Sequence, residues 1–314
     1  MNRLLETLFP HGESYSDSQN FYSLILSCSF LDFPRPLSSQ PILLMLTQDQ
    51  FQFYHDNGYL LIKGLLSAEE AQKYRKELHD CFERLYYTGK QGDATWKGVA
   101  NGATKLQHCH DIQYYSAAFS RLICDDRLTS AAAALMGSPN VQLHHTKAFI
   151  KPPENGSPFP MHQDYPFFPH TRQSMMAAII HFDDASEKKG CLRVMPGSHK
   201  NGVLPHVKHD NHLDMEAYPI DKALSVPAEA GDVLFISYLV VHGSGINLSD
   251  EPRSTLLVQM RDPEDLPTEA THLSRGQGMM LTGVDPTNAG RDLSSSASKL
   301  LQEWFELGLY CNIG

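Results

Sequence analysis

Two periodicities divide the chain. Up to about residue 140 the apolar positions recur at helical spacing; beyond it they alternate, or run in short blocks broken by Gly, Pro and Asp. Thr47 stands where an N-cap is needed ahead of QDQFQFYHDNG and predicts a short helix. GYLLI at 58–62 predicts a strand. Ser67 followed three residues later by Glu70 is a capping box. The helix it opens runs to about Tyr87, with Ala71, Tyr74, Leu78, Phe82 and Leu85 on one face. An alanine-rich segment at 119–136 predicts a further helix that ends at Gly137, a suitable C′ residue. Strands are expected at 141–150, 175–182, 191–195, 224–226, 232–237 and 254–260. Helices first and many short strands afterwards predict a mainly β fold, a jelly-roll or similar barrel with helical cover on one side.

Residues 1–44 read differently. They contain no Lys and close on FPRPLSSQP just before Met45. We expect an N-terminal extension there, either disordered or a wrongly assigned start with Met45 as the true one, and one domain over 45–314. The longest uncharged apolar stretch, 21–31, is too short to span a bilayer. Arg3 is the only early basic residue, acidic residues follow it, and no A-x-A site appears, so a secretory leader is not expected. Arg3-Leu4 followed by His11 falls short of a peroxisomal amino-terminal address, and Cys311-Asn312-Ile313-Gly314 is no peroxisomal tripeptide.

With 41% apolar and 20% charged residues the chain is of soluble globular type. A net charge of −10 argues against nucleic acid or an anionic membrane surface as the main partner, while leaving a small-molecule substrate open. Six cysteines without a C-x-x-C pair suit a reduced, cytoplasmic compartment. Oligomeric state leaves no trace in the sequence.

The chemistry concentrates in His162-Gln163-Asp164, answered by His242, 78 residues after the aspartate, and by Arg253, eleven beyond that. Two imidazoles and one carboxylate are the ligand set of a non-haem Fe(II) oxygenase, which leaves positions open for a co-substrate and O2. On an extended chain His162 and Asp164 would point to one side, with Gln163 facing away. His242 is expected at a strand end, reaching the same ion from across the barrel. H-x-D is a common chance pattern, and His181-Phe182-Asp183 is a second copy; only the first has an Arg suitably placed downstream. A guanidinium fork meets a carboxylate bidentately, so Arg253 suits the distal carboxylate of 2-oxoglutarate. The alternative for Arg253 is a solvated turn residue after Asp250-Glu251-Pro252.

Four ordered motifs then carry a resemblance. They are His162-Gln163-Asp164-x-x-Phe167-Phe168-Pro169, Gly190-Cys191-Leu192 to Pro196-Gly197-Ser198-His199, Gly231-Asp232-Val233, and His242-Gly243-Ser244-Gly245-x-Asn247. The stretch from about Leu46 to Asp262 resembles the phytanoyl-CoA dioxygenase family. The resemblance implies a double-stranded β-helix with Fe(II) on His162, Asp164 and His242, and Arg253 on the distal carboxylate of 2-oxoglutarate with Ser244 beside it. It also implies Lys105, in Thr104-Lys105-Leu106-Gln107, as a group reaching the co-substrate, where a surface lysine is the alternative. His145 resembles a pocket-lining position and reads equally as a satisfied barrel histidine; Gln107 and Lys147 are weaker pocket candidates. The small apolar run Ala177-Ala178-Ile179-Ile180-His181 departs from relatives that carry an aromatic residue there.

The expected activity is oxidation, foremost hydroxylation, of a C–H bond in a small molecule with release of succinate and CO2. An intact Asp164 argues against halogenation, for which relatives clear the carboxylate. A non-redox cupin-like isomerase or hydrolase is the alternative, but it gives Arg253 no task. A catalytically silent binding protein is a third reading, against which the complete triad counts. Phe159, Phe167 and Phe168 suggest an apolar part of the substrate. His206, His209 and His212 read as a solvated loop, and His108-Cys109-His110-Asp111 as pocket rim or packing. The long connection 196–221 is expected to be a substrate lid.

Overall fold

The computed structural model describes residues 46–87, 92–93, 106–154, 156–207, 211–269 and 274–287. The expected extension 1–44 and the candidate Lys105 lie outside them.

Both helix starts read from the sequence form as expected. Thr47 and Gln50 cap reciprocally ahead of helix α1 (Gln48–Asn57), and Gly58 ends it in the left-handed conformation at φ 80°. Ser67 and Glu70 exchange backbone bonds of 2.8 and 3.2 Å at the start of α2 (Ala68–Tyr87). The expected helix 119–136 is instead two, α3 (Ala117–Leu122) and α4 (Asp126–Met136). The cause is Asp125, whose carboxylate accepts from the Arg127 amide and starts a second helix where the periodicity alone would continue the first. Arg127 then reaches Glu70 in α2 with two bonds of 3.0 and 2.8 Å.

Among the described residues twelve strands follow or intervene: β1 (Tyr59–Ile62), β2 (Gly92–Asp93), β3 (Gln107–His110), β4 (Val141–Lys151), β5 (Phe159–His162), β6 (Met176–His181), β7 (Leu192–Val194), β8 (Leu224–Val226), β9 (Val233–Ser237), β10 (His242–Ser244), β11 (Arg253–Arg261) and β12 (Met280–Thr282). They pair antiparallel in two sheets. The larger runs β1-β9-β6-β11-β4-β3-β2 with β12 also on β4; the smaller runs β5-β10-β7-β8. Neighbours in space are far apart in sequence, as in a jelly roll, and the mainly β, cupin-like expectation holds. Strands β2, β3, β5, β10 and β12 escaped the sequence reading.

Period-two alternation assigns the faces of the large sheet. On its outer side Ala148, Ile150, Leu256, Val258, Ala178 and Ile180 pack with Leu78, Phe82, Leu128 and Leu135 of the helices. This is the expected helical cover. Leu128 and Leu78 are wholly buried, and each contributes roughly 2 to 3 kcal/mol by leaving water. On the inner side, cross-strand register stacks Arg253 with Lys151, Thr255 with Phe149, Leu257 with Lys147 and Gln259 with His145. An apolar cluster including Ile179, Leu234, Val194 and Val226 closes part of the space between the sheets. Among the described residues no helix is long and apolar enough to cross a membrane.

Candidate metal centre and co-substrate pocket

The two histidines approach through strand pairing. β10 lies beside β5 with His242 opposite His162, so their rings come within 4.3 Å between centroids. His242 therefore reaches the site from the adjacent strand of the same sheet, where the sequence suggested one across the barrel. Asp164 differs from expectation as well. β5 stops at His162, and Asp164 is in the right-handed helical region (φ −74°, ψ −23°), opening a 3-10 turn at Tyr165–Phe167. Its amide donates to the Tyr238 carbonyl at 2.9 Å, tying the turn to the segment that leads into β10. The carboxylate is thus delivered by a turn rather than by strand alternation.

The outcome is one compact constellation. Asp164 Oδ1 lies 3.6 Å from His162 Nε2 and 3.7 Å from His242 Nε2, and one donor atom from each residue falls within 4.8 Å of the others. Each imidazole is oriented by its own backbone: His162 Nδ1 is 2.7 Å from the Pro160 carbonyl and His242 Nδ1 is 3.0 Å from the Val240 carbonyl. A carbonyl can only accept, so each Nδ1 carries a proton and donates, and each Nε2 is the atom turned to the shared space. Burial, aided by the neighbouring His162, pushes His242 down to about 4 and keeps it neutral. For Asp164 burial is the largest influence and acts upward. The two imidazoles and the nearby Gln259 amide outweigh it, so the carboxyl stays below its usual value.

Gln163 faces away from the triad, as expected, but its amide has a definite task. It donates to the Gly202 and Leu239 carbonyls at 2.9 and 2.6 Å and accepts from the Leu204 amide at 2.8 Å. The connection 196–221 is thereby pinned behind β5, and Leu213 within it packs on Met161 and Val241. None of its described residues lines the cavity, so the lid expectation is not met. His206 and His212 bond to backbone carbonyls in that connection; His209 lies outside the described residues.

Between the sheets the triad opens on a cavity of about 170 Å³. His110, His145, Lys147, Phe149, Phe159, Phe167, Phe168, Ser244, Arg253 and Gln259 are among its lining residues, whereas Gln107 is not. His108-Cys109-His110-Asp111 thus divides, with His110 on the wall and Cys109 in the core. His145 is 2.8 Å from its neighbour His144 between Nδ1 atoms, so it both lines the pocket and is bonded within it. Burial lowers the Lys147 ammonium, an effect that Asp164 partly opposes. The second H-x-D pair does not converge on an ion: His181 is buried with Nδ1 near the Asp232 carbonyl, and Asp183 pairs with Arg75 and the Ser254 amide.

Arg253 is the other focus. It is 5% exposed, one end of its guanidinium donates to the Gly190 carbonyl, and its buried Nε has no hydrogen-bond partner. Among the described residues no carboxylate pairs with it, and burial pushes it down to about 10. The sequence reading overlooked Lys151, which is wholly buried beside it. Its Nζ donates to Ser244 Oγ at 2.8 Å and to the Gly245 carbonyl at 2.7 Å. Burial lowers Lys151 well below the ordinary lysine range, with Arg253 adding to the effect. The alternation His145, Lys147, Phe149, Lys151 was the signal that could have found it.

A family model for phytanoyl-CoA dioxygenase (PhyH) matches residues 54–255. Peroxisomal phytanoyl-CoA dioxygenase of Rattus norvegicus is 31% identical over 229 residues, covering 65% of this chain and 64% of the rat protein. A probable alpha-ketoglutarate-dependent hypophosphite dioxygenase of Stutzerimonas stutzeri is 28% identical over 222 residues, covering 67% and 77%. Among solved structures, the non-heme alpha ketoglutarate dependent carbocyclase SnoK from nogalamycin biosynthesis superposes with a TM-score of 0.62 at 22% identity, over 74% of this chain and 93% of its own. EctD from S. alaskensis, with 2-oxoglutarate and 5-hydroxyectoine, gives 0.59 at 17% identity over 78% and 89%. Both share the fold. The chain spans just under two thirds of the rat relative's length. The family model covers more than half of the chain, with the His162-x-Asp164 and His242 motifs inside it, and the chain belongs to the phytanoyl-CoA dioxygenase family.

Proposed function

We propose that the protein is an Fe(II)- and 2-oxoglutarate-dependent oxygenase that oxidises a C–H bond of a small molecule, with hydroxylation as the outcome. The observation that carries this reading is the pairing of two unsatisfied features in one cavity. One is a triad of two imidazoles and a carboxylate whose Oδ2 is buried without a partner; the other is a buried guanidinium with which no carboxylate among the described residues pairs. An orphaned buried polar group costs roughly 1 to 3 kcal/mol, more when charged, so both features fit groups that arrive from outside. His162, Asp164 and His242 suit a first-row divalent ion, and three ligands leave room in its shell.

Bound iron would supply activation of O2 coupled to oxidative decarboxylation of 2-oxoglutarate, yielding succinate and CO2. The chain's own groups do the rest. Arg253 and Ser244 hold the distal carboxylate, which orients the keto-acid end toward the triad. The Nδ1 bonds to the Pro160 and Val240 carbonyls hold both imidazoles turned so that Nε2 faces the shared space. Phe149, Phe159, Phe167 and Phe168 keep bulk water from the reacting centre and favour a substrate with an apolar portion. The rat relative's name refers to an acyl-CoA ester and EctD is solved with 5-hydroxyectoine, and both support reading the substrate as a small organic molecule.

A non-redox metal enzyme would leave the buried Arg253, with which no carboxylate among the described residues pairs, without purpose. The test is aerobic incubation with Fe(II), ascorbate and 2-oxoglutarate against a panel of small metabolites. Succinate release with a product heavier by one oxygen is expected. Absence of succinate with every substrate, from protein that binds iron, would overturn the proposal.

A further inference from the structure

We propose that Lys151 is a positioning residue of the co-substrate site, one that acts through Ser244 by fixing the direction of its hydroxyl. The inference rests on the reading above. Lys151 ends β4 directly opposite Arg253 in register, yet it does not line the cavity. It stands one layer behind, with Ser244 between it and the open space. A serine hydroxyl accepts and donates. Here the accepting side is taken by Lys151 Nζ at 2.8 Å, so the single O–H proton is left to point elsewhere. Among the described residues no acceptor takes that proton. Ser244 and Arg253 share the cavity wall, so the proton is available to the carboxylate that Arg253 would hold. Lys151 itself is anchored by the Gly245 carbonyl at 2.7 Å, with the Phe159 ring 5.2 Å from Nζ, so it has little freedom to present itself differently.

The arrangement turns the hydroxyl's proton away from the lysine. A guanidinium and an oriented O–H donor on one wall favour a carboxylate over a neutral group of the same shape, because hydrogen bonds to an anion are the stronger ones. Acting through Ser244 and acting through space are separable, because only the first requires the hydroxyl.

The experiment is anaerobic calorimetry on the Fe(II)-loaded full chain with two ligands, 2-oxoglutarate and 2-oxobutyrate, which keeps the chelating keto acid and lacks the distal carboxylate. The wild type should bind 2-oxoglutarate the more tightly. Lys151→Met should weaken 2-oxoglutarate by roughly tenfold to a hundredfold, the range of a charge-assisted hydrogen bond, and 2-oxobutyrate by less than about threefold. Ser244→Ala should behave alike. The double variant should be within about threefold of the weaker single one, because both remove the same directed hydrogen bond. If Lys151→Met does not fold, Lys151→Gln, which keeps N–H donors at shorter reach, should show the same selective loss at about fivefold. Equal loss of both acids, unchanged 2-oxoglutarate binding, or losses that multiply in the double variant would overturn the role of Lys151 alone. A wild type that binds neither acid would overturn the proposed function and this role with it.

Discussion

Replacing Arg253 by methionine separates what the residue costs the empty protein from what it gives a ligand. The guanidinium is buried, and burial pushes it well down from the ordinary arginine range to about 10. At 1.36 kcal/mol for each tenfold step, holding this charge without a counter-ion costs about 3 kcal/mol. A carboxylate that restores the missing partner recovers energy of that order. Methionine abolishes both the cost and the recovery. Affinity for 2-oxoglutarate should therefore fall by about a hundredfold, since 1.4 kcal/mol is a factor of ten. Thermal stability of the ligand-free variant should move by only a few degrees, because relief of the unpaired charge offsets the bond lost to the Gly190 carbonyl. Calorimetric titration of metal-loaded protein reads the first quantity and differential scanning calorimetry of the metal-free protein the second. If Arg253→Met bound 2-oxoglutarate within threefold of wild type, the assignment of the distal carboxylate to this residue would be wrong. A collapse in ligand-free stability would equally show that the guanidinium is a scaffold group.

Three further outcomes are expected. Asp164→Ala should lower Fe(II) affinity by at least about a hundredfold in an anaerobic competition assay, while ligand-free stability changes by no more than about 1 kcal/mol, since an orphaned buried oxygen goes with the side chain. Gly190→Ala should destabilise by more than about 3 kcal/mol in urea unfolding, because φ is +67° and an added Cβ would lie 2.4 Å from the Gly245 carbonyl oxygen. His181, held at about 4 by burial with Arg253 adding to it, stays neutral in the fold, whereas the unfolded chain protonates it near 6.5. The unfolded state thus binds the extra proton, and stability is lost as pH falls from about 6.5 to about 4. His181→Leu should flatten that part of the stability curve in urea titrations at successive pH values, and an unchanged slope would count against it.

What the sequence revealed, and what it hid, follows from how local each cause is. The capping boxes at Thr47 and Ser67 involve four consecutive residues and were legible as such. The triad was legible as a set of donor types, because chemistry restricts which side chains hold iron. Its geometry was not: strand alternation suggested one side of an extended chain, whereas Asp164 is carried by a turn whose amide bonds to Tyr238, over seventy positions later. The break at Asp125 had a local signal in Cys124-Asp125-Asp126, but the alanine periodicity on either side outweighed it. The connection 196–221 was read as a lid from its length alone. What pins it is the Gln163 amide, a tertiary contact without any pattern in the sequence. Lys151 was passed over because a charged residue before Pro152-Pro153 looks like a strand end meeting solvent. Only the register with Arg253 shows it to be interior.

Each imidazole of the triad leans on the carbonyl two positions before it, and the two segments lie side by side as paired strands. The proposed receptor is consequently assembled by the backbone before any ion arrives. Loading is then a docking event and not a folding one, unlike small domains whose shape depends on their metal. A chelator should strip such a centre and leave a chain that accepts the ion again on dilution, with its architecture intact throughout.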